Sequence, residues 1–292
     1  MITHAFTHAL EDSAKMLPFL FAAYLIIELL ERRRGATIEK WLSRGGRFGF
    51  VPAAALGLFP QCGFSAMAAN FYGSRVISLG TLMAVFIATS DEAIPVMLAQ
   101  PDSYGAMLIL LLTKFLYALL VGFVLDILLV RLLPSSLRGG YAGNVQEIDC
   151  HHHEEHRHWL TATLLHTATT FAIILVFTFG FGLLVEGLGE ERISGYLGGL
   201  GLLQPLMAGL FGLIPNCASS VLLTQLYLEG AISFGSVLAG LSCNAGIGLT
   251  VLFRTNRSLR QNLFILAMLY VLGSVLGLVV HWAAGLFAPS LL

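Results

Sequence analysis

The sequence predicts an all-α integral membrane protein built as an inverted-topology repeat. Three observations lead to this fold class: apolar stretches of membrane-spanning length, two similar interrupted motifs, and an uneven placement of basic residues. Of the 292 residues, 57% are hydrophobic and only 11% are charged, whereas soluble domains carry about 25% charged residues. A formal net charge of -1 provides no field that would attract nucleic acid. The composition therefore favours a multi-pass protein whose main surroundings are the lipid bilayer.

Most of the chain consists of apolar segments long enough to cross about 30 Å of hydrocarbon as helices. These segments are 13–31, 76–99, 104–133, 159–186, 231–252 and 262–288. The first lacks a basic start and a small-residue cleavage site, so we interpret it as a retained span and not as a removable signal peptide. Two further segments, 48–73 and 200–230, are interrupted by Pro60 and Pro215, which stop helices. Their pieces reach only about 20 Å each.

The basic residues favour re-entrant hairpins over kinked crossings for the two interrupted segments. Six basic residues crowd the first loop, which the positive-inside bias places in the cytoplasm. If each interrupted segment enters the membrane and returns, Arg75, Arg131, Arg138 and the later loop "RTNRSLR" are cytoplasmic as well. Two full crossings, the alternative, would put Arg75, Arg131 and Arg138 outside.

The interrupted segments also form an internal repeat. "GLFPQCGFS" at 57–65 resembles "GLIPNCASS" at 212–220, and residues 57–92 match 212–247 at about ten positions without a gap. Each half is therefore predicted to contain three spans and one hairpin, and the halves enter the membrane from opposite sides. The predicted parts are a first repeat (1–133, hairpin 48–73), a His-rich cytoplasmic linker (134–158) and a second repeat (159–292, hairpin 200–230). Both termini would lie outside.

The hairpin tips are the predicted substrate site, because broken helices at equivalent points of inverted halves indicate a transporter's binding site. Amide oxygens, hydroxyls (Ser219 among them) and thiols at the tips suit a small polar solute or cation. In the alternative interpretation these small residues only ease helix packing. The predicted substrate-binding residues are Gln61, Cys62, Ser65, Asn216, Cys217 and Ser220, with Cys243 and Asn244 of the following span.

Three charged residues in apolar surroundings are predicted to couple transport to an ion. Asp91 and Glu92 have apolar residues on both sides, and an unpaired carboxylate in the bilayer costs at least ~2.5 kcal/mol and marks an ion path or proton relay. An early helix end that leaves both in a wet loop is the alternative. Lys114 in "MLILLLTKFLYALL" is expected either to pair with one of these carboxylates or to snorkel to the outer surface. Asp126 is expected only to meet Arg131.

The linker carries a dense polar run, "DCHHHEEHRHW", at 149–159. Its thiol and imidazoles are suited to Zn, Ni, Cu or Mn, although a solvated linker is the alternative. "HHEEH" fits a zinc-peptidase pattern, but about 25 loop residues cannot form a catalytic domain. Since the sequence has no nucleotide-binding glycine-rich loop and no G-x-S-x-G, we predict no enzyme and no cofactor other than a transported metal ion. The peripheral loop ligands would be Cys150, His151, His152, His153, His156 and His158.

The chain resembles the ten-helix heavy-metal exporter family, relatives of arsenic permeases that are also labelled manganese transporters. The likeness rests on "GLFPQCGFSAMAANFYGSRVISLGTLMAVFIATSDEAIPVML", on "GLIPNCASSVLLTQLYLEGAISFGSVLAGLSCNAGIGLTVLFRTN" and on the His-rich loop. It covers nearly the whole chain, and counting each hairpin arm as a helix gives the family's ten. The resemblance implies efflux of a toxic metal or metalloid across a bacterial inner membrane.

Ligand chemistry favours a divalent cation as the substrate, because hard Mn(II) prefers oxygen ligands. Arsenite, antimonite or an organoarsenical, held by Cys62, Cys217 and Cys243, is the alternative. We therefore predict a secondary active exporter, with manganese favoured, that is coupled to protons and works by alternating access. A second alternative is a non-transporting metal sensor that acts through the His-rich loop. The sequence is also compatible with a homo-oligomer. The predicted metal ligands are Asp91, Glu92, Gln61, Asn216 and Asn244.

Overall fold

The computed structural model describes residues 48–59, 62–90, 93–132 and 199–287, with isolated positions elsewhere. Within these ranges the regular elements are helices, in agreement with the predicted all-α class. The predicted first span 13–31, the linker 134–158 and the span 159–186 lie outside the described residues, apart from such isolated positions.

The helices of the second half repeat the order of those in the first half. The first series is α1 (Phe50–Gly57), α2 (Cys62–Gly73), α3 (Leu79–Ala88), α4 (Ala93–Leu98) and α5 (Tyr104–Phe123). The second series is α6 (Gln204–Gly212), α7 (Cys217–Leu228), α8 (Phe234–Cys243), α9 (Ile247–Thr255) and α10 (Leu259–Phe287). By length and composition, four described segments are able to cross a membrane: Leu79–Leu98, Pro101–Leu128, Phe234–Thr255 and Leu259–Ala283.

Helices α3 and α8 occupy the centre of the described structure. Every residue of both helices is buried. Helices α5 and α10 lie further out and expose large apolar side chains, such as Leu112 and Val271. This arrangement suits a membrane protein, because lipid covers an exposed apolar face that water would not.

The two interrupted segments are broken where the prolines indicate. Helix α1 ends at Gly57 before α2 begins at Cys62, and α6 ends at Gly212 before α7 begins at Cys217. The spans that follow are also broken, which differs from the continuous helices expected over 76–99 and 231–252. Helix α3 ends at Ala88 and α4 begins only at Ala93, while α8 and α9 are separated by residues 244–246.

Local backbone chemistry explains the second of these unexpected breaks. Gly246 has φ 52° and ψ -137°, a conformation that glycine adopts far more readily than other residues. Its N–H donates to Asn244 Oδ1 at 2.7 Å, so a side chain replaces the helical carbonyl as the acceptor. In the first half, Pro95 lies in the first turn of α4, where proline is tolerated at a helix start.

The chain between α1 and α3 reverses direction. Gly49, just before α1, faces Thr81 at the start of α3, and Gly57 at the end of α1 lies against Val85 and Ala88. Helices α1 and α3 therefore run side by side in the same direction, and α2 must return to the level at which α1 began. A re-entrant hairpin requires this path. Its entry into a membrane from one side stays a prediction.

The second half follows the same path. Oε1 of Gln204, at the start of α6, accepts the N–H of Ser233 at 2.9 Å and the hydroxyl of Ser236 at 2.8 Å, both at the start of α8. At the other end of α6, a Cβ on Gly212 would lie 2.0 Å from the carbonyl oxygen of Gly240. Helices α6 and α8 are thus parallel, and α7 is the returning arm.

Contacts between the two halves bear on the predicted inverted repeat. Helix α2 packs in parallel against α9 of the other half: Ser65 faces Gly248 near their starts, and Gly73 faces Thr255 near their ends. Because α2 runs opposite to α3, the broken span that includes α9 is directed opposite to α3. This is the relation that an inverted repeat requires, and its orientation across a bilayer stays a prediction.

Equivalent residues cap the starts of α3 and α8. Asp126, expected only to meet Arg131, accepts the hydroxyl of Ser78 and the N–H of Gly80 (3.0 Å) at the start of α3. Extending the alignment of residue 57 with residue 212 places Asp126 on His281. His281 Nδ1 lies 2.8 Å from the hydroxyl of Ser233, the N-cap of α8. A carboxylate in the first half and an imidazole in the second thus form hydrogen bonds with the N-terminal ends of equivalent helices.

The turns after the returning arms α2 and α7 are closed by a residue with left-handed backbone. Arg75 has φ 60° and the aligned Gly230 has φ 74°. In both turns, the N–H of the following residue donates to a helix carbonyl at 2.8 Å: Val76 to Phe71, and Ala231 to Leu226. Because only glycine adopts this conformation freely, the second half meets the requirement of the turn with less strain.

We expect Gly230→Ala to destabilise the protein by about 1 kcal/mol, because an L-residue is strained in this conformation. A Cβ on Gly230 would have no atom within 4 Å, so backbone strain alone is tested. Gly105→Ala, equally open but within α5, should instead stabilise by up to about 1 kcal/mol. Thermal unfolding of the purified protein in detergent measures both changes. Shifts of the same sign would contradict the assignment.

Candidate functional site

Lys114 joins the C-terminal ends of the two central helices. Its Nζ donates to the carbonyl oxygen of Thr89, the C-cap of α3, and to that of Leu241 in the last turn of α8 at 2.8 Å. The side chain extends from α5 and has 0% exposure, so the expectation that Lys114 snorkels to the outer surface is wrong. The predicted pairing partners, Asp91 and Glu92, lie outside the described residues, and that prediction stays open.

The chemistry of helix ends explains why an ammonium group is stable at this buried position. The last four carbonyls of a helix have no partner within it, and the aligned peptide dipoles place about -0.5 of a charge at each C-terminus. Both ends therefore favour a positive charge at the Lys114 ammonium. The same interaction ties the first half, through α3 and α5, to α8 of the second half.

A hydrogen-bonded chain connects the tip between α6 and α7 with the break between α8 and α9. Asn244 Nδ2 donates to Ser219 Oγ at 3.2 Å, and that hydroxyl donates to the carbonyl oxygen of Asn216 at 2.6 Å. Asn216 Oδ1 accepts the N–H of Ala218 at 3.2 Å as the N-cap of α7. Of the three amides predicted to bind metal, Asn216 and Asn244 lie within the described residues. The side-chain oxygen of each accepts a backbone N–H, from Ala218 and from Gly246 respectively. An amide oxygen has two lone pairs, so one backbone N–H does not saturate it.

The hydroxyls predicted for the site lie in tightly packed positions. Ser65 on α2 is fully buried, and a Cβ on Gly248 of α9 would lie 2.9 Å from it. Ser220 on α7 is buried as well, and its carbonyl oxygen accepts the hydroxyl of Thr224 at 2.7 Å. These serines occupy the helix contacts around the breaks, where small side chains let backbones approach closely.

The thiol of Cys243 contacts α10. Its Sγ lies 3.7 Å from the carbonyl oxygens of both Leu269 and Tyr270, and a Cβ on Gly273 would lie 2.4 Å from it. The side chains of Cys62 and Cys217 lie outside the described residues. Among the three predicted thiols, the one whose position is described therefore serves packing between α8 and α10.

The predicted metal ligands are only partly covered by the structure. Among the described residues, no group of three or more His, Cys, Asp or Glu side chains is placed to hold a metal ion. The metal-ligand prediction therefore stays a prediction. The following predicted ligands lie outside the described residues: Gln61, Asp91, Glu92, Cys150, His151, His152, His153, His156 and His158.

Sequence reasoning missed the backbone groups at the centre of this site. The carbonyl oxygens of Thr89 and Leu241 carry no residue-type signal, because any residue supplies a carbonyl. The break at 244–246 did have a signal, since Asn and Gly two residues apart are typical of a turn. The sequence marks Ser219 only as one of several hydroxyls, whereas in the structure it links the hairpin tip to the broken span.

Comparison with models of protein families places the chain in a family. A family model described as "Putative, 10TM heavy-metal exporter" matches residues 4–186 and 169–286. The two matches together cover nearly the whole chain. Searches of curated proteins and of solved structures found no significant match.

We expect Ser219→Ala to destabilise the protein by about 1–3 kcal/mol, because it leaves buried partners, among them Asn244 Nδ2, without the hydroxyl they use. Ser242→Ala is the matched control. Ser242 is a fully buried serine of α8 whose Oγ has no hydrogen bond within the described residues, so its removal should be nearly neutral. Thermal unfolding in detergent compares the two variants, and equal losses would show that the hydrogen-bonded chain contributes nothing.

Proposed function

Because the chain belongs to the 10TM heavy-metal exporter family, we propose that it exports a divalent heavy-metal cation, with manganese favoured, across a bacterial inner membrane by alternating access. The observation that carries the proposal is the convergence of two broken spans from opposite halves at Lys114. Discontinuous helices that meet near the middle of a transporter form its substrate and ion sites. The function is transport and not catalysis.

Alternating access is supported by the way in which the halves contact each other. The returning arm α2 packs against α9, and the returning arm α7 packs against α4. Each arm therefore rests on the second piece of the other half's broken span. A rocking movement between the halves would bend the chain at the breaks, where helical hydrogen bonds do not hold the backbone.

The cation hypothesis is supported by the oxygen ligands near the breaks. Asn216 and Asn244 hold amide oxygens at a hairpin tip and at a broken span, and these oxygens are fixed in place by backbone N–H groups. Mn(II) prefers such oxygens and carboxylates, which Asp91, Glu92 and Gln61 would supply. A carboxylate within a membrane is costly, and a neutral arsenite molecule would gain little from it.

Arsenite, antimonite or an organoarsenical is the second candidate substrate, because soft thiols bind such species. Cys243 contacts α10, which leaves Cys62 and Cys217 as the thiols at the two hairpin tips. They occupy aligned positions of the repeat. A site with two thiols would still favour a metalloid over manganese.

The double variant Cys62→Ser/Cys217→Ser separates these substrates. Manganese flux should stay within about twofold of the wild type, because hard cations do not need sulfur, whereas any arsenite flux should fall at least about tenfold. Flux into proteoliposomes, measured for both substrates with the same preparation, gives the result. A collapse of manganese flux together with retained protein in the membrane would overturn the manganese assignment.

Asp91→Asn tests proton coupling. We expect flux driven by a pH gradient to be abolished, because the variant removes the carboxylate that would exchange a proton for the metal ion. The matched control is Asp102→Asn, which changes an exposed aspartate in the turn Pro101–Ser103 and should leave flux unchanged. Both are assayed in proteoliposomes with and without the gradient. Full activity of Asp91→Asn would remove the coupling hypothesis.

A further inference from the structure

The C-terminal ends of α3 and α8 together suit a bound cation, and this holds for any exported substrate. The carbonyl oxygen of Thr89 lies just past the end of α3, and that of Leu241 lies in the last turn of α8. Both point to one place, since a single nitrogen atom, Lys114 Nζ, donates a hydrogen bond to each of them. Carbonyl oxygens at helix C-terminal ends carry partial negative charge and attract cations.

Free alkali cations bind at such places in other transporters. Unwound backbone carbonyls and the C-terminal ends of half-helices coordinate Na⁺ where discontinuous helices meet. In this protein, the positive group between the two helix ends is the ammonium of Lys114. An ammonium group donates hydrogen bonds to the same carbonyl oxygens that would ligate K⁺ or Na⁺.

We propose that Lys114 permanently fills a monovalent-cation site formed by the ends of α3 and α8, so that the protein carries its own cation where others bind a free one. The positive charge is then supplied by the chain in every state in which α3 and α8 meet. Transport consequently needs no Na⁺ or K⁺ at this position, and Lys114 acts as a positioning residue that holds two half-helices of opposite halves together.

The asymmetry of the repeat supports this assignment. The alignment that places residue 57 on residue 212 places Lys114 on Leu269, which is fully buried in α10. The second half therefore contributes an apolar residue where the first half contributes an ammonium. One ammonium group donates to the carbonyl oxygens of both helix ends.

Lys114→Ala, which removes the ammonium and leaves its space, is the decisive variant. The experiment measures thermal unfolding of the purified protein in detergent, in choline, ammonium, potassium or sodium chloride at constant ionic strength. The wild type should unfold at the same temperature in all four salts. Lys114→Ala should unfold at least about 5 °C lower in choline chloride, and ammonium or potassium should restore at least about half of that loss with saturation.

Two control variants separate the charge from the packing. Lys114→Met fills the space without a charge and should be destabilised in every salt without recovery. Leu269→Ala opens space at the aligned position of the second half, where the bound cation is not expected, and should not distinguish between the salts. The proposal is overturned if Lys114→Ala responds to no cation, if the wild type itself responds to one of them, or if Lys114→Met is as stable as the wild type.

Lys114→Gln keeps the test decisive if the alanine variant does not accumulate. Glutamine retains a hydrogen-bond donor but not the positive charge. Unfolding below the wild type in all salts supports the proposal, whereas a wild-type midpoint overturns it, because the donor alone would then suffice. The readout is stability and not flux, so these outcomes are independent of whether manganese is the exported ion.

Discussion

The structure depends on one constraint: backbone groups that a broken helix leaves unpaired must find partners within the protein. Hydrocarbon offers no hydrogen bonds, so irregular backbone at membrane depth is stable only where protein or a water-filled cavity satisfies it. Side chains meet this need at the described breaks. Lys114 serves the carbonyl oxygens at the ends of α3 and α8, and Asn244 serves the N–H of Gly246. The residues that make the breaks stable are therefore the same residues that surround the candidate site.

The repeat reproduces a backbone frame but not its charges. Both halves have a parallel pair of helices, a returning arm and a broken span, and the same turn with left-handed backbone follows each arm. Within this frame Asp126 is aligned with His281, and Lys114 is aligned with Leu269. Equivalent backbone requirements are thus met by different chemistry.

Family membership and geometry support different parts of the functional argument. The matching family model assigns the chain to the 10TM heavy-metal exporter family. The convergence of helix ends at Lys114 supports the proposed site, because discontinuous helices present backbone polar groups inside the protein. The amide oxygens of Asn216 and Asn244 are held in place by backbone N–H groups. The substrate proposal rests on these oxygens and on the packing of Cys243 against α10.

The sequence by itself determined the class of protein, its family resemblance, the two proline breaks and the repeat, because hydropathy, proline and motif spacing are properties of local chain segments. It identified Lys114, Asn216 and Asn244 as unusual polar residues in apolar surroundings. Only the tertiary structure decided what these residues contact. It also showed that the spans over 76–99 and 231–252 are broken, that Asp126 caps α3, and that the Cys243 thiol contacts α10. The physical reason is that backbone carbonyls, which any residue can supply, are the partners of Lys114 and of Cys243. Which carbonyls come within reach depends on the packing of helices that are far apart in the chain.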